Sequence, residues 1–213
     1  TINYLQMNGF MTPFKFTKSE REPLGLEIPL NISIDDVVQF VGANRSIVAM
    51  SVASQNSNVN MTLQKWGEYF QSDQLREEKG ILNLISLEFT GTALASKIKS
   101  PSIVREIDWI DRAWKDPCST IKSKQTKSKF KHKGAGSDLH GRPKVQKYCL
   151  MSVAGSYTDF HIDFGGTSVW YHLVFGQKVF LLAPPSKAVL EAFQQFTWDS
   201  SVYLPDLLPA NTF

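Results

Sequence analysis

A histidine and an aspartate two positions apart carry the clearest sign of chemistry in this sequence. His161 and Asp163 lie in the run SYTDFHID, whose composition favours a β-strand. Side chains two apart on a strand leave the same face, so an imidazole nitrogen and a carboxylate oxygen would converge on one point. Such a pair suits a divalent metal such as Fe(II). It supplies two of the three ligands of the two-histidine, one-carboxylate facial triad.

The spacing of this pair has low specificity when it is taken alone. With 4 histidines and 11 aspartates among 213 residues, chance gives roughly 0.2 His-x-Asp pairs per chain. A strand histidine held by an ordinary hydrogen bond explains the pattern as well as a metal does. Both explanations stay open on spacing alone.

An asparagine in an apolar segment is a second candidate. The segment Ile81 to Phe89 (ILNLISLEF) is typical of a buried strand, and its alternation predicts Asn83 on the same face as Ile81, Ile85 and Leu87. A buried amide needs a hydrogen-bonding partner. The sequence leaves open whether that partner is another part of the fold or a ligand.

The positive charge of the chain is concentrated in one stretch. Ten Lys or Arg and two acids lie between Lys115 and Lys147, whereas the rest of the chain has 13 basic and 18 acidic residues. Six lysines and no apolar face occupy residues 122–133 (KSKQTKSKFKHK), which predicts a solvated loop. This loop is either an electrostatic contact for nucleic acid or nuclear import, or only a solubilising insertion.

Composition excludes several classes of protein. The chain is 42% hydrophobic and 12% aromatic, which is typical of a globular domain, and no apolar run is long enough to span a bilayer. The first residues lack the regions of a signal peptide. Cys118 and Cys149 form no CxxC pair, so a reducing compartment is expected and a zinc module or disulfide framework is not.

Three amphipathic helices are predicted before residue 115, each with an apolar stripe that should face the core. The first begins at a capping box formed by Ser33 and Asp36 and ends at Gly42. The second begins after Thr62. The apolar residues of the second and third stripes are Leu63, Trp66 and Phe70, and Ile103, Ile107, Ile110 and Trp114.

Strands are predicted to dominate the later part of the chain. The segments QKYCLMSV, SYTDFHID, SVWYHLV and KVFLLA follow one another, with glycine turns between the later ones. A last helix should begin at Ser186 and carry Val189, Leu190 and Phe193 inward. The pattern predicts a mainly β fold with α-helices, a jelly roll (double-stranded β-helix, cupin-like) with the N-terminal helices packed outside.

Residues 144–185, KVQKYCLMSVAGSYTDFHIDFGGTSVWYHLVFGQKVFLLAPP, closely resemble the Jumonji C (JmjC) domains of the F-box-type and PHD-type histone lysine demethylases. LGLEIP at Leu24, LISLEF at Leu84 and IDWIDRAW at Ile107 agree as well. The resemblance is nearest to the F-box-type branch, which acts on mono- and dimethylated lysine 36 of histone H3. It covers nearly the whole chain except the lysine-rich insert.

The resemblance assigns roles to six residues. His161 and Asp163 would bind Fe(II), and Thr158 and Lys178 would hold the distal carboxylate of 2-oxoglutarate. Asn83 would lie close to that cosubstrate. The last of the six, Tyr171, would line the pocket for cosubstrate and methyl-lysine.

The resemblance also implies the organisation and the activity. Residues 1–213 would form one JmjC catalytic domain that is incomplete at its C-terminus, with a mixed helical part (1–115), the lysine-rich insert (116–145) and the first part of a jelly roll (146–213). The family's second iron-binding histidine falls past Phe213. We expect a nuclear, dioxygen-consuming demethylase of the histone H3 tail, with nucleosome or DNA contacts through residues 122–133 and no membrane association. The alternative is a non-enzymatic chromatin-recruiting JmjC module with a degenerate metal site.

Overall fold

A computed structural model describes residues 2–114, 142–199 and 203–208. The chain divides into two compact units, Thr1–Thr158 (unit 1) and Asp159–Phe213 (unit 2). The strands are β1 (Ser46–Ser51), β2 (Asn56–Thr62), β3 (Leu82–Glu88) and β4 (Tyr148–Ser152). The helices are α1 (Ile2–Met7), α2 (Ile34–Val41), α3 (Leu63–Gln71), α4 (Asp73–Lys79), α5 (Ser102–Ile107), α6 (Trp109–Ala113), α7 (Lys187–Trp198) and α8 (Leu204–Leu207).

The four strands form one antiparallel sheet in unit 1, in the order β2-β1-β3-β4. β3 is a central strand, and Asn83 lies opposite Met50 of β1 on one side and Ser152 of β4 on the other. The sequence predicted β3 and β4, and both are confirmed with slightly shorter bounds.

The core of unit 1 lies between the sheet and the helices that pack on it. Trp66 and Leu63 of α3 are fully buried, and they cluster with Leu82 and Leu84 of β3. The Tyr69 hydroxyl donates to the Gly80 carbonyl at 2.9 Å and accepts from the Leu82 amide at 2.8 Å. These two bonds fix the approach of β3 to α3.

The first two predicted helices are confirmed. At α2 the Ser33 hydroxyl accepts from the Asp36 amide while the Asp36 carboxylate accepts from the Ser33 amide, which is the predicted capping box. Its bonds from Ser33 hold the pKa of the Asp36 carboxyl below its usual value. At α3 the Thr62 hydroxyl accepts from the Lys65 amide.

The third predicted helix is broken, and its apolar stripe is only partly buried. Asp108 ends α5 and caps α6, accepting from the Asp111 amide. This restart rotates the second half of the segment relative to the first, so the spacing from Ile103 to Trp114 no longer defines one face. Neither helix has a buried residue, and Trp114 is 40% exposed. Ile103, Ile107 and Ile110 are half-buried, so the expectation that this stripe faces the core holds in part and was wrong for Trp114.

A bulge in β3 changes which residues accompany Asn83. The pairing of β3 with β4 shifts register between Leu84 and Leu87. Because the extra residue reverses the alternation, Leu87 joins Leu82 and Leu84 in the core cluster. The prediction that Leu87 shares a face with Asn83 was therefore wrong, since period-two reasoning assumes an unbroken strand.

Three of the predicted strands are absent from the structure. No strand forms between Val153 and Ser186, all of which are described, so SYTDFHID, SVWYHLV and KVFLLA are not strands here. A strand needs a neighbouring backbone to pair with, and the described residues provide none for these segments. Their apolar side chains stay exposed, for example Val179 at 84% and Leu182 at 56%.

The helix predicted after Ser186 is confirmed as α7, with the Ser186 hydroxyl accepting from the Val189 amide. Val189 and Ala192 are buried and Phe193 is half-buried, but Leu190 is 48% exposed, which corrects its predicted inward position. In helical spacing, positions 189, 192 and 193 share a face that position 190 only borders.

The described residues thus combine α-helices with an antiparallel sheet. Within them, no helix is both long and apolar enough to cross a bilayer.

Candidate functional site

The imidazole of His161 and the carboxylate of Asp163 face each other in unit 2. His161 Nε2 lies 3.6 Å from Asp163 Oδ1, which is longer than a hydrogen bond. His161 Nδ1 lies 2.8 Å from the carbonyl oxygen of Asp159. Because a carbonyl oxygen only accepts, Nδ1 carries the proton, and a neutral imidazole then presents the lone pair of Nε2 towards Asp163.

The local backbone, rather than a β-ladder, brings these two side chains together. Asp163 precedes the 3₁₀ turn Phe164–Gly166, and its carboxylate makes no capping bond to that turn. Gly165 adopts φ 69° within the turn, a conformation that glycine allows without strain. The side chains of His161 and Asp163 are 59% and 44% exposed, so both donor atoms are accessible to an ion.

This geometry fits a divalent metal held by two protein ligands. Bonds from imidazole nitrogen and carboxylate oxygen to such ions are about 2.0–2.2 Å long, so atoms 3.6 Å apart can bind one ion together. Within the described ranges, no cluster of three or more His, Cys, Asp or Glu side chains could hold a metal. The assignment of His161 and Asp163 as ligands stays a prediction.

Lys178 and Tyr171 lie together in unit 2, as members of an aromatic group. The Lys178 ammonium is 3.3 Å from the Tyr171 hydroxyl oxygen, 5.2 Å from the Tyr171 ring centre and 5.7 Å from that of Phe180. The two rings meet edge to face at 5.1 Å. A cation over two aromatic faces is attracted to their negative quadrupoles. The two rings therefore restrict where the ammonium can point.

Asn83 and Thr158 lie together in unit 1. Asn83 is 1% exposed, and among the described residues it is the one buried polar side chain. Its Nδ2 donates to the hydroxyl oxygen of exposed Thr158 at 3.3 Å, and its Oδ1 accepts from the Ser152 hydroxyl at 2.7 Å. The buried amide thus has partners within the fold, one of which is a residue predicted to bind the cosubstrate.

Two side chains of these groups, and the Asp159 carbonyl beside His161, were not identified from the sequence. Ser152 contacts Asn83 because β3 and β4 pair in that register, and register between distant strands is invisible in one sequence. Phe180 alternates with Lys178 in the run KVFLLA, which favours one face for the two residues and could have suggested their contact.

A polar cluster holds the C-terminal end of the lysine-rich insert against the residues before it. Arg142 donates to the Trp114 carbonyl oxygen and to the Asp111 carboxylate, and Gln146 Nε2 donates to the same carboxylate at 3.1 Å. Residues 122–133 themselves lie outside the described part of the chain. The predicted electrostatic role of the insert therefore stays a prediction.

Cys149 is not a reactive group. Its thiol is free, and burial raises its pKa to about 11. The thiolate is the nucleophilic and metal-binding form, so this residue is suited to packing rather than chemistry. Cys118 lies outside the described residues.

The chain is similar to several histone demethylases along nearly all of its length. It is 42% identical over 196 residues to lysine-specific demethylase 2A of Xenopus tropicalis, covering 92% of this chain and 16% of that protein. It is 40% identical over 196 residues to the JmjC domain-containing histone demethylation protein 1 of Caenorhabditis elegans, covering 92% of this chain and 18% of that protein.

A third relative is human lysine-specific demethylase 7A, at 36% identity over 203 residues, covering 95% of this chain and 19% of that protein. No protein-family model matches the chain. The chain spans less than a fifth of the length of each of these three relatives. Across nearly its whole length, this chain is therefore a homologue of the JmjC histone demethylases.

Proposed function

We propose that this chain is the Fe(II)- and 2-oxoglutarate-binding part of a histone lysine demethylase that acts on chromatin in the nucleus. The observation that carries the proposal is the convergence of His161 Nε2 and Asp163 Oδ1, 3.6 Å apart, with Nδ1 of the histidine already occupied by a carbonyl. Homologues that are named as histone demethylases support the substrate class.

The proposed fold is a JmjC jelly roll of which this chain supplies part. The antiparallel sheet of unit 1 is compatible with such a fold. The three segments predicted as strands between Ser156 and Ala183 carry exposed apolar side chains, as expected of strands that pair only when further backbone is present. We assign residues 116–145 to an insert and 146–213 to the first part of the barrel.

His161 and Asp163 would hold the metal in this proposal. The Asp159 carbonyl contacts Nδ1 and orients the His161 ring, so Nε2 is the nitrogen that would bind the ion. When bound, Fe(II) and 2-oxoglutarate supply the activation of dioxygen that hydroxylates an N-methyl group of lysine, whose carbon then leaves as formaldehyde. The protein supplies binding, orientation and exclusion of water.

Lys178 and Thr158 would bind the distal carboxylate of 2-oxoglutarate. The Lys178 ammonium can donate a charge-assisted hydrogen bond, which is stronger than a neutral one. Tyr171, whose hydroxyl accepts from Lys178, would line the cosubstrate and methyl-lysine pocket. The methylated tail of histone H3 is the proposed substrate, with lysine 36 as the expected position, and residues 122–133 the proposed contact to nucleosomal DNA.

The metal assignment is tested by changing His161 to Ala in the full-length protein. We expect Fe(II) binding, measured by anaerobic calorimetry, to be lost, because one carboxylate remains where two ligands stood. His140→Ala, in the lysine-rich insert, is the matched control and should bind the ion as the unchanged protein does. An unaltered Fe(II) affinity in the His161→Ala variant would refute the ligand assignment.

A non-enzymatic recruiting module is the second candidate. The observation in its favour is that the described residues bring two, not three, metal-binding side chains together. The residue at the distal ligand position of the full-length protein separates the two functions. Histidine there supports catalysis, whereas a poor ligand such as tyrosine supports recruitment.

A further inference from the structure

A chain of hydrogen bonds connects β4 to the residue that we expect to meet the cosubstrate carboxylate. The Ser152 hydroxyl donates to Asn83 Oδ1 at 2.7 Å, and Asn83 Nδ2 donates to Thr158 Oγ1 at 3.3 Å. Ser152 and Asn83 are directly opposite in the pairing of β4 with β3. The pairing of β3 with β4 therefore fixes the first contact of this chain, between Ser152 and Asn83.

The direction of each hydrogen bond decides whether the Thr158 hydroxyl can donate its proton to an anion. A hydroxyl group has one proton to donate and lone pairs to accept with. Because Thr158 Oγ1 accepts from the Asn83 amide, its own proton remains available to an anion. In the opposite orientation of the amide, Asn83 Oδ1 would face Thr158 and would take up that proton.

Ser152 is the partner that satisfies the acceptor end of the Asn83 amide in the structure. An asparagine amide has a donor end and an acceptor end of nearly equal shape, and at 1% exposure Asn83 has little access to water to satisfy either end. In the orientation that the structure shows, the Ser152 hydroxyl donates to Oδ1, and Nδ2 donates to Thr158. Without the Ser152 hydroxyl, Oδ1 in this orientation is a buried acceptor with no partner, so an amide turned to accept from the Thr158 hydroxyl competes with it.

We infer that Ser152 is a positioning residue that holds the Asn83 amide with its donor end on Thr158, and thereby keeps the Thr158 hydroxyl a donor to the distal carboxylate of 2-oxoglutarate. This inference rests on the proposed cosubstrate. It assigns to Ser152 a role in binding rather than only in satisfying a buried amide.

The test is the affinity of the full-length protein for 2-oxoglutarate, measured by anaerobic calorimetry with Fe(II) present. We expect Ser152→Ala to weaken binding about tenfold, which is the effect of losing one hydrogen bond to a charged group. Ser152→Thr keeps the hydroxyl and should stay within about twofold of the unchanged protein. Ser86→Ala, which removes an exposed hydroxyl from β3, is the matched control and should not change the affinity.

Repeating the Ser152 substitution in a Thr158→Val variant separates a positioning role of Ser152 from a merely structural one. Thr158→Val removes the hydroxyl through which Ser152 is inferred to act, so adding Ser152→Ala to Thr158→Val should cause no further loss of affinity. Thermal unfolding of the four proteins reports any separate effect on stability.

Two results would overturn the inference. The first is an equal affinity for 2-oxoglutarate in the unchanged and Ser152→Ala proteins. The second is that Ser152→Ala lowers this affinity by the same factor whether or not the Thr158 hydroxyl is present. If the unchanged protein binds no 2-oxoglutarate, the proposed function fails and this inference fails with it. If it binds and Ser152→Ala binds equally well, only the inference fails.

Discussion

At the scale of single residues, the candidate metal site depends on what each of the two ring nitrogens of His161 contacts. Nδ1 is committed to the Asp159 carbonyl, and Nε2 is directed to the Asp163 carboxylate without a hydrogen bond between them. A backbone carbonyl on one ring nitrogen is the usual support of a metal-binding histidine. This arrangement leaves Nε2 as the nitrogen for the metal that we predict at this site.

Lys178 is expected to act on cosubstrate binding and not on folding. Changing Lys178 to Ala should weaken 2-oxoglutarate binding by about tenfold or more, because one charge-assisted hydrogen bond is lost. Calorimetry of the full-length protein with Fe(II) measures it, and its Fe(II) affinity should be unchanged. Lys187→Ala, which removes a 91% exposed lysine of α7, is the control. An unaltered affinity for 2-oxoglutarate in Lys178→Ala would count against the proposed role.

Cys149 should resist alkylation in the folded protein at ordinary pH. With a pKa of about 11, its thiolate fraction at pH 8 is on the order of one in a thousand, and only the thiolate reacts. The rate should rise with pH towards that pKa, and it should rise sharply in denaturant at constant pH. Mass spectrometry of the peptide containing Cys149 after iodoacetamide treatment measures this. Rapid labelling of the native protein at pH 8 would contradict the burial of the thiol.

At the scale of elements, the junction of α3 with β3 depends on one phenol group. Tyr69→Phe removes the donor to the Gly80 carbonyl and the acceptor of the Leu82 amide, which leaves that buried amide without this partner. We expect the free energy of unfolding, measured by urea denaturation, to fall by about 1–3 kcal/mol. Tyr203→Phe, at a 59% exposed tyrosine, should change it little. Equal stability of the two variants would show that the Tyr69 hydroxyl does not hold this junction.

Helices were predictable wherever their signals are local. The capping box at Ser33 and the cap at Thr62 act within four residues, so one sequence contains the whole interaction. The break at Asp108 is also local, because an aspartate that caps the following turn competes with continuation of the helix. The apolar stripe alone did not reveal it.

Strands and their contacts were less predictable, because they depend on partners far away in the chain. The bulge between Leu84 and Leu87 and the pairing of Asn83 with Ser152 arise from register between strands about seventy residues apart. The segments around His161 and Lys178 alternate as strands do, yet they form none without a neighbouring backbone. The candidate residues were chosen from motif and resemblance, and their partners became visible only in the structure.

At the scale of the whole molecule, the positive charge of the sequence is concentrated between Lys115 and Lys147. Replacing residues 122–133 by a Gly-Ser linker of equal length should weaken DNA binding, because the six lysines can no longer release counterions from phosphates. The slope of log K against the logarithm of salt concentration should become shallower by up to about 5 units. Fluorescence anisotropy over a salt series measures both effects, and a scrambled insert of the same composition is the control. Identical binding at every salt concentration would make the insert only a spacer.

The demethylase assignment itself concerns the full-length protein and its substrate. The measurement is mass spectrometry of histone H3 peptides mono- or dimethylated at lysine 36, incubated with full-length protein, Fe(II), 2-oxoglutarate and air. We predict stepwise loss of methyl mass, formation of formaldehyde and succinate in equal amounts, and no reaction when 2-oxoglutarate is omitted or His161 is Ala. Peptides that keep their methyl groups at lysine 36 and at every other methylated lysine tried, with a protein that binds Fe(II) and 2-oxoglutarate, would contradict the account.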